Sequence, residues 1–112
     1  MPHPANHEYA PFYRTYIEKV KDADLQLALS QQSRISLAFW QAVPQVLADY
    51  AYAPGKWTVK QLLNHIIDTE RIFAYRALCI ARGDETPLPG FDENDYADAA
   101  KVSHRSLIDL VH

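Results

Sequence analysis

The sequence predicts an all-α protein. Apolar residues recur every three or four positions in two long stretches, which is the spacing of amphipathic helices, and no stretch alternates apolar and polar residues as a strand would. The chain has 112 residues, of which 48% are hydrophobic, so it can hold one domain with a modest core. We therefore expect a single helical domain spanning residues 1–112.

The first helices follow from the positions of proline and of one aspartate. Residues 1–10 contain two prolines at a chain terminus, so we expect a flexible arm there. A short helix should run from Pro11 to about Val20, because proline is tolerated in a first helical turn. Asp24 should cap a long core helix, and Pro44 should end or kink it by removing an interior hydrogen bond.

The start of the next helix has the strongest local signals in the chain. Thr58 and Gln61 have the spacing of a capping box, and Trp57 and Leu62 occupy the two positions of a hydrophobic staple. The helix should end just before Gly83, because glycine readily adopts the left-handed conformation that terminates helices.

The C-terminal part should hold a loop and a last helix. Residues 84–101 combine two prolines, a glycine and several carboxylates, which favours an irregular surface loop with at most a short turn of helix. A helix capped by Ser103 should follow, with Leu107, Ile108 and Val111 on one face. Because so short a helix is marginal in water, we expect it to be cut short in this chain. The alternatives are that the helix is short as it stands, or that a second copy of the chain completes it.

Composition narrows the functional classes. The formal net charge is −3 and the basic residues are scattered, which argues against general nucleic-acid binding. No apolar run approaches the roughly 20 residues that cross a bilayer. The single cysteine, Cys79, should be a buried, inert thiol, and the N-terminal sequence has no secretory signal, so we expect a cytoplasmic setting. A small molecule or another protein is the expected partner.

Two polar residues lie on or beside the apolar face of the helix that Thr58 begins. A helical projection places Glu70 near the middle of that face, so we expect its carboxylate to be buried. Gln32 and Ser36, on the apolar stripe of the preceding long helix, could satisfy it and form a polar spine. A catalytic role for Glu70 is the alternative, but no nucleophile accompanies it.

His65 should lie half-exposed at the edge of the same face. It could be a packed imidazole bonded to a carbonyl or to Thr69, or it could be a metal ligand on a rigid helix. A metal site needs further ligands, and Asp68 points farther into solvent. His104 and His112 are about 12 Å apart along a helix axis, so both cannot bind one ion. The spacing therefore predicts no complete three-ligand site.

The chain resembles the DinB/YfiT-like superfamily over most of its length. The most specific part is a pattern of the form W-[ST]-[VI]-x-x-x-L-x-H-x-x-D-x-E-R, carried here by Trp57, Thr58, Val59, Leu63, His65, Asp68, Glu70 and Arg71. The resemblance implies a DinB-like up-down-down-up four-helix bundle, commonly a homodimer, which would be incomplete in this chain.

The resemblance also implies a divalent metal, nickel or zinc, held by three histidines. One of them, on the second helix, matches His65, and the other two form an H-x-x-x-H pair on a fourth helix that has no counterpart here. By similarity to related proteins, the resemblance implies that the chain is a thiol transferase or hydrolase that acts on a small-molecule or thiol substrate. It assigns no catalytic residue. The alternative is a non-catalytic helical module that acts through self-association or partner binding.

Overall fold

The computed structural model describes residues 3–20 and 24–112, and within these ranges it contains α-helices, 3-10 turns and no strand. This confirms the all-α prediction. The α-helices are α1 (Arg14–Glu18), α2 (Leu25–Ala42), α3 (Val59–Ala81), α4 (Glu93–Ala99) and α5 (Leu107–Val111). The chain divides into two compact units, Met1–Phe39 and Trp40–His112. Among the described residues, no helix is both long and apolar enough for a bilayer crossing.

The first unit consists of short turns, α1 and most of α2. A 3-10 turn at Pro11–Tyr13 leads directly into α1, which confirms the short helix predicted after Pro11. Before it, the Ala5 N–H donates a hydrogen bond of 2.6 Å to the Glu8 carboxylate. The flexible arm predicted for residues 1–10 remains a prediction.

The predicted ends of α2 are confirmed, but its predicted burial is wrong. Asp24 Oδ1 accepts the Leu27 N–H at 2.9 Å, as an N-cap should, and the helix ends two residues before Pro44. However, no described residue up to Phe39 is buried, and the side chains of Leu29 and Ile35 are each 62% exposed. The periodic spacing identified the helix, but it does not specify what covers the apolar face.

The N-terminus of α3 is closed by hydrogen bonds, as predicted. The Gln61 N–H donates to Thr58 Oγ1 at 3.2 Å, and the Thr58 N–H donates to Gln61 Oε1 at 2.8 Å, which completes the capping box. The carbonyls of Ala48 and Tyr50 accept the N–H groups of the first two helical residues, each at 3.0 Å. The connection that precedes α3 is therefore fastened to the start of the helix.

The C-terminus of α3 also ends where predicted. Gly83 has φ +67°, a left-handed conformation that favours glycine, and its N–H donates to the Ile80 carbonyl at 3.0 Å. The Asp84 N–H donates to the Cys79 carbonyl, also at 3.0 Å. These bonds satisfy carbonyl groups that the end of a helix would otherwise leave unpaired.

Part of the predicted loop 84–101 is a helix of two turns rather than a short turn. Asp92 caps α4, because its side chain accepts the N–H groups of Asn94 and Asp95. Glu93 and Asp95 then lie in the first turn, where the positive end of the helix dipole favours carboxylates. The carboxylates that suggested a loop are those that begin this helix.

The last helix begins later than predicted, with Ser106 rather than Ser103 as its cap. Ser106 Oγ accepts the Asp109 N–H and the Asp109 carboxylate accepts the Ser106 N–H, each at 3.2 Å. Ser103 lies instead within the 3-10 turn Val102–His104. Gln45 Oε1 accepts the Leu107 N–H at 2.9 Å, so a residue far away in sequence helps to fix the start of α5.

The core of the second unit is small and lies at one end of α3. Its fully buried members, none more than 5% exposed, are Ala48, Leu63, Val102, Leu107 and Leu110. The connection before α3, the 3-10 turn and α5 thus pack together on the first half of α3. We expect truncation of Leu63 to alanine to cost about 2–5 kcal/mol, because it would leave a cavity among these side chains.

Candidate functional site

His65 lies half-buried on α3, in agreement with the sequence-based prediction. Its imidazole packs against the indole of Trp57, with ring centroids 4.9 Å apart and planes at 45°. Offset aromatic contacts of this kind restrict the orientation of both rings. The sequence pattern predicted a staple between Trp57 and Leu62 but not this contact with His65, because Trp57 lies outside the helix that sets the spacing.

The polar neighbours of His65 along α3 do not bond to it. Thr69 Oγ1 is buried and has no hydrogen-bond partner, so of the alternatives left open for His65, a bond to Thr69 is not formed. Asp68 accepts a hydrogen bond of 3.0 Å from the Asn64 side-chain amide, and its other oxygen lies 4.0 Å from the Arg71 guanidinium. The imidazole is therefore held by packing rather than by a carboxylate or a hydroxyl.

A complete metal centre is not assembled in the part of the chain that the structure describes. Residues 3–20 and 24–112 contain no group of three His, Cys, Asp or Glu side chains placed to hold one ion. A zinc-type site needs three protein ligands or more, so these residues do not fit such a centre by themselves. His65 is a single candidate ligand, consistent with its half-buried position.

Glu70 is exposed, which shows that its predicted burial was wrong. The buried face of α3 carries Leu63, Asn64 and Lys60 instead, while Ile66, one turn before Glu70, is 40% exposed. Gln32 is also exposed and donates a hydrogen bond of 2.8 Å to Ser36 within its own helix. The buried polar spine predicted from these side chains is therefore absent from the described residues.

Lys60 is a buried charged residue that was not predicted from the sequence. Only 3% of it is exposed, and its ammonium lies 2.8 Å from the Asp49 carboxylate. It also donates a hydrogen bond of 3.0 Å to the Ser103 carbonyl. These contacts join the connection before α3 to the 3-10 turn before α5. Helical spacing could have predicted its burial, since Lys60 lies one turn before Leu63 and Asn64 on the buried face.

The thiol of Cys79 is buried, as predicted. Tyr75 lies one turn earlier on α3. A side-chain hydrogen bond with Cys79 raises the pKa of the Tyr75 phenol above its ordinary value. We assign the pair no chemistry.

A cleft of about 370 Å³ opens beside the start of α3. We call it the aromatic cleft, because three aromatic residues, Tyr50, Tyr52 and Trp57, line it together with Leu62. Its volume and apolar lining are those of small-molecule sites in general. Trp57 belongs both to this cleft and to the contact with His65, so the indole connects the two features.

These features define an all-α protein whose longest helix carries a capping box at its start and one half-buried histidine two turns later. The sequence profile of the DinB superfamily matches residues 28–106, and the chain belongs to this superfamily. The match includes the whole motif from Trp57 to Arg71, on which the resemblance depends. Searches among curated proteins and among solved structures gave no match.

Proposed function

We propose that this DinB-superfamily protein is a metal-dependent enzyme and that His65 is the ligand it contributes to a divalent ion, nickel or zinc. The observation that carries the proposal is the position of His65. The imidazole lies half-buried on the long helix α3 and packs on Trp57, which suits it to present a ring nitrogen in a fixed direction. Membership of the superfamily supports the same role.

The remaining ligands must come from protein groups beyond those that the described residues bring together. A second copy of the chain or a further protein segment could supply them. The reaction class that we propose is thiol transfer or hydrolysis on a small-molecule or thiol substrate. We propose a cytoplasmic setting, because the single cysteine of the sequence has no partner for an internal disulfide.

Nickel titration with Trp57 fluorescence as the readout tests the metal proposal. The chain has two tryptophans, so a Trp40→Phe variant would leave Trp57 as its one indole. Nickel bound at His65 should quench this indole strongly, since the two rings are only 4.9 Å apart between centroids. The His65→Ala variant should lose both the quenching and the bound metal measured by elemental analysis.

His104→Ala is the matched control, because His104 is an exposed histidine on the 3-10 turn before α5. It should retain the metal and the quenching. Equal metal content in the His65→Ala and unsubstituted proteins would show that His65 is not a ligand.

The exposed apolar side chains of α3 favour a second function, which is association of two copies of the chain. Leu62, Ile66 and Ile80 lie on one stripe of the helix and are 44%, 40% and 73% exposed. α3 has 23 residues and is therefore about 34 Å long, so the stripe extends over most of a small domain. Exposed apolar surface of this kind is typical of protein interfaces.

Sedimentation equilibrium of the purified chain tests this second function. We expect dimers at micromolar concentration, and we expect Ile66→Ser with Ile80→Ser to shift the protein towards monomer. Val46→Ser is the control, because Val46 is 87% exposed but lies outside α3, in the turn Gln45–Leu47. A monomeric unsubstituted chain over the whole concentration range would contradict the proposal.

A further inference from the structure

The aromatic cleft has the lining that a planar aromatic ligand requires. Tyr50 and Tyr52 lie on the connection before α3, and Trp57 lies immediately before its N-cap. Three rings around one cleft can stack on a flat ligand in offset or edge-to-face geometry. The remaining apolar contacts come from Val59 and Leu62, on the first two turns of the helix.

The charge of the cleft favours an anion. Lys56 is the one charged side chain in its lining, and no carboxylate lines it within the described part of the chain. The cleft also lies at the N-terminus of α3, where the helix dipole is positive. The first N–H groups of α3 are already bonded, so they contribute a favourable field rather than free donors.

One uncharged polar group completes the lining. Asn94, on α4, also lines the cleft, and its side-chain amide can both donate and accept a hydrogen bond. A hydroxyl or a second polar substituent on the ligand could pair with this amide. Ligand pockets in general combine an apolar wall with a few polar groups in this way.

The walls of the cleft are anchored before any ligand arrives. The Tyr50 carbonyl accepts the N–H of Val59, the first residue of α3, at 3.0 Å, which fastens the tyrosine-bearing connection to the helix. The turn through Gly55 has φ +75°, a conformation that suits glycine, and the Lys56 N–H donates to the Ala53 carbonyl at 3.2 Å. Such pre-organisation reduces the entropy lost on binding.

We infer that the aromatic cleft binds a small planar aromatic anion, with its ring between the Tyr52 and Trp57 side chains and its carboxylate towards Lys56. The inference is independent of the metal proposal, since it uses neither His65 nor an ion. It assigns this end of the molecule a ligand class that the superfamily match by itself does not specify.

Titration of the full chain with 4-hydroxybenzoate, followed by two-dimensional NMR, tests this inference. We expect saturable shifts of the Trp57 indole N–H and the Asn94 side-chain amide, with a dissociation constant of millimolar or below. Neutral 4-hydroxybenzamide should bind more weakly because it carries no charge for Lys56. Cyclohexanecarboxylate should also bind more weakly because it has no aromatic face.

Two variants separate the contributions of ring and charge. Tyr52 is 73% exposed, so Tyr52→Ala should leave the fold intact and weaken 4-hydroxybenzoate binding about 2- to 10-fold, the range for one aromatic contact. Lys56→Gln should weaken binding of the carboxylate about threefold and leave that of the amide unchanged, as expected for an exposed ion pair. Tyr16→Ala and Lys19→Gln, in the first unit, are the matched controls and should have no effect.

Circular dichroism of each variant should show unchanged helix content. A loss of binding is then due to the changed cleft and not to unfolding. Three results would overturn the inference: no saturable shift at millimolar 4-hydroxybenzoate, equal affinity for all three ligands, or shifts that lie away from Trp57 and Asn94. A change of mass on Tyr52→Ala would also overturn it, by showing that a second chain covers the cleft.

Discussion

Lys60 places a positive charge inside the second unit, and its partners determine how the unit responds to substitution. Its ammonium contacts a carboxylate, that of Asp49, whose side chain is itself 77% exposed. Asp49 remains hydrated when it loses the lysine, whereas a buried ammonium that loses its carboxylate keeps only the Ser103 carbonyl. Removal of the Asp49 carboxylate should therefore lower the stability more than removal of the Lys60 ammonium.

We predict that Asp49→Ala lowers the free energy of unfolding by about 1–3 kcal/mol, because it leaves a buried charge with one acceptor. Lys60→Met should cost less than about 1 kcal/mol, since methionine keeps an apolar chain of similar length in the buried position. Urea unfolding of both variants and of the double variant measures the difference. The double variant should be no less stable than Lys60→Met, and a neutral Asp49→Ala would contradict the argument.

His65 and Glu70 show which residue properties the sequence can predict. Both were placed by helical spacing, and spacing gives the direction of a side chain around the helix axis. For His65 that was sufficient, because a residue at the edge of a face is half-buried whichever neighbours cover it. For Glu70 it was not, because burial requires another element to cover the middle of the face, and Phe73, on the same face, is 57% exposed.

At the scale of elements, local capping chemistry predicted most helix boundaries. The caps at Asp24 and Thr58 and the stop at Gly83 all lie where short sequence signals placed them. The start of α5 differed, because Ser103 and Ser106 are both capping residues. Gln45 bonds to the N–H that follows Ser106, across a separation of 62 residues, and such a contact has no local signature in the sequence.

Substitution of these two serines measures the cap of α5. Ser106→Ala should lower the free energy of unfolding by about 0.5–2 kcal/mol, since it removes the acceptor for the Asp109 N–H. Ser103→Ala should change it by less than about 0.5 kcal/mol, because the Ser103 contact with Lys60 uses the backbone carbonyl. Chemical unfolding of the two variants provides the comparison, and equal losses would show that Ser106 is not the cap.

The same cap should weaken in acid. Hydrogen bonds from the Ser106 side chain, then from its backbone, lower the pKa of Asp109 below its ordinary value of 3.8. A carboxyl whose pKa is lower in the folded chain than in the unfolded chain stabilises the folded state at pH values above the unfolded pKa. This stabilisation is lost as the pH falls through the folded pKa. We therefore expect the stability difference between the unsubstituted chain and Asp109→Asn to narrow below about pH 3.8, as measured by unfolding at pH 7 and pH 3.

At the scale of the whole molecule, all of the described residues that are buried lie in the second unit. Its core involves the first half of α3, whereas the exposed apolar stripe continues along the second half as far as Ile80. The superfamily match covers both the packed and the exposed parts of α3. The sequence identified the family and the helices, but the covering of α3 depends on contacts between elements that periodicity does not encode.

Glu70 is the charged residue that interrupts this exposed stripe, and it provides a direct test of association. Glu70→Leu should leave the fold intact, because the carboxylate is exposed, and should extend the apolar stripe between Ile66 and Phe73. Burial of an added leucine contributes roughly 1.5–3 kcal/mol, so the dimerisation constant should rise about tenfold or more. Sedimentation equilibrium measures this change, with Glu18→Leu on the exposed helix α1 as the control. An increase of the same size in the control would mean that any added leucine promotes association, and that the stripe on α3 is not an interface.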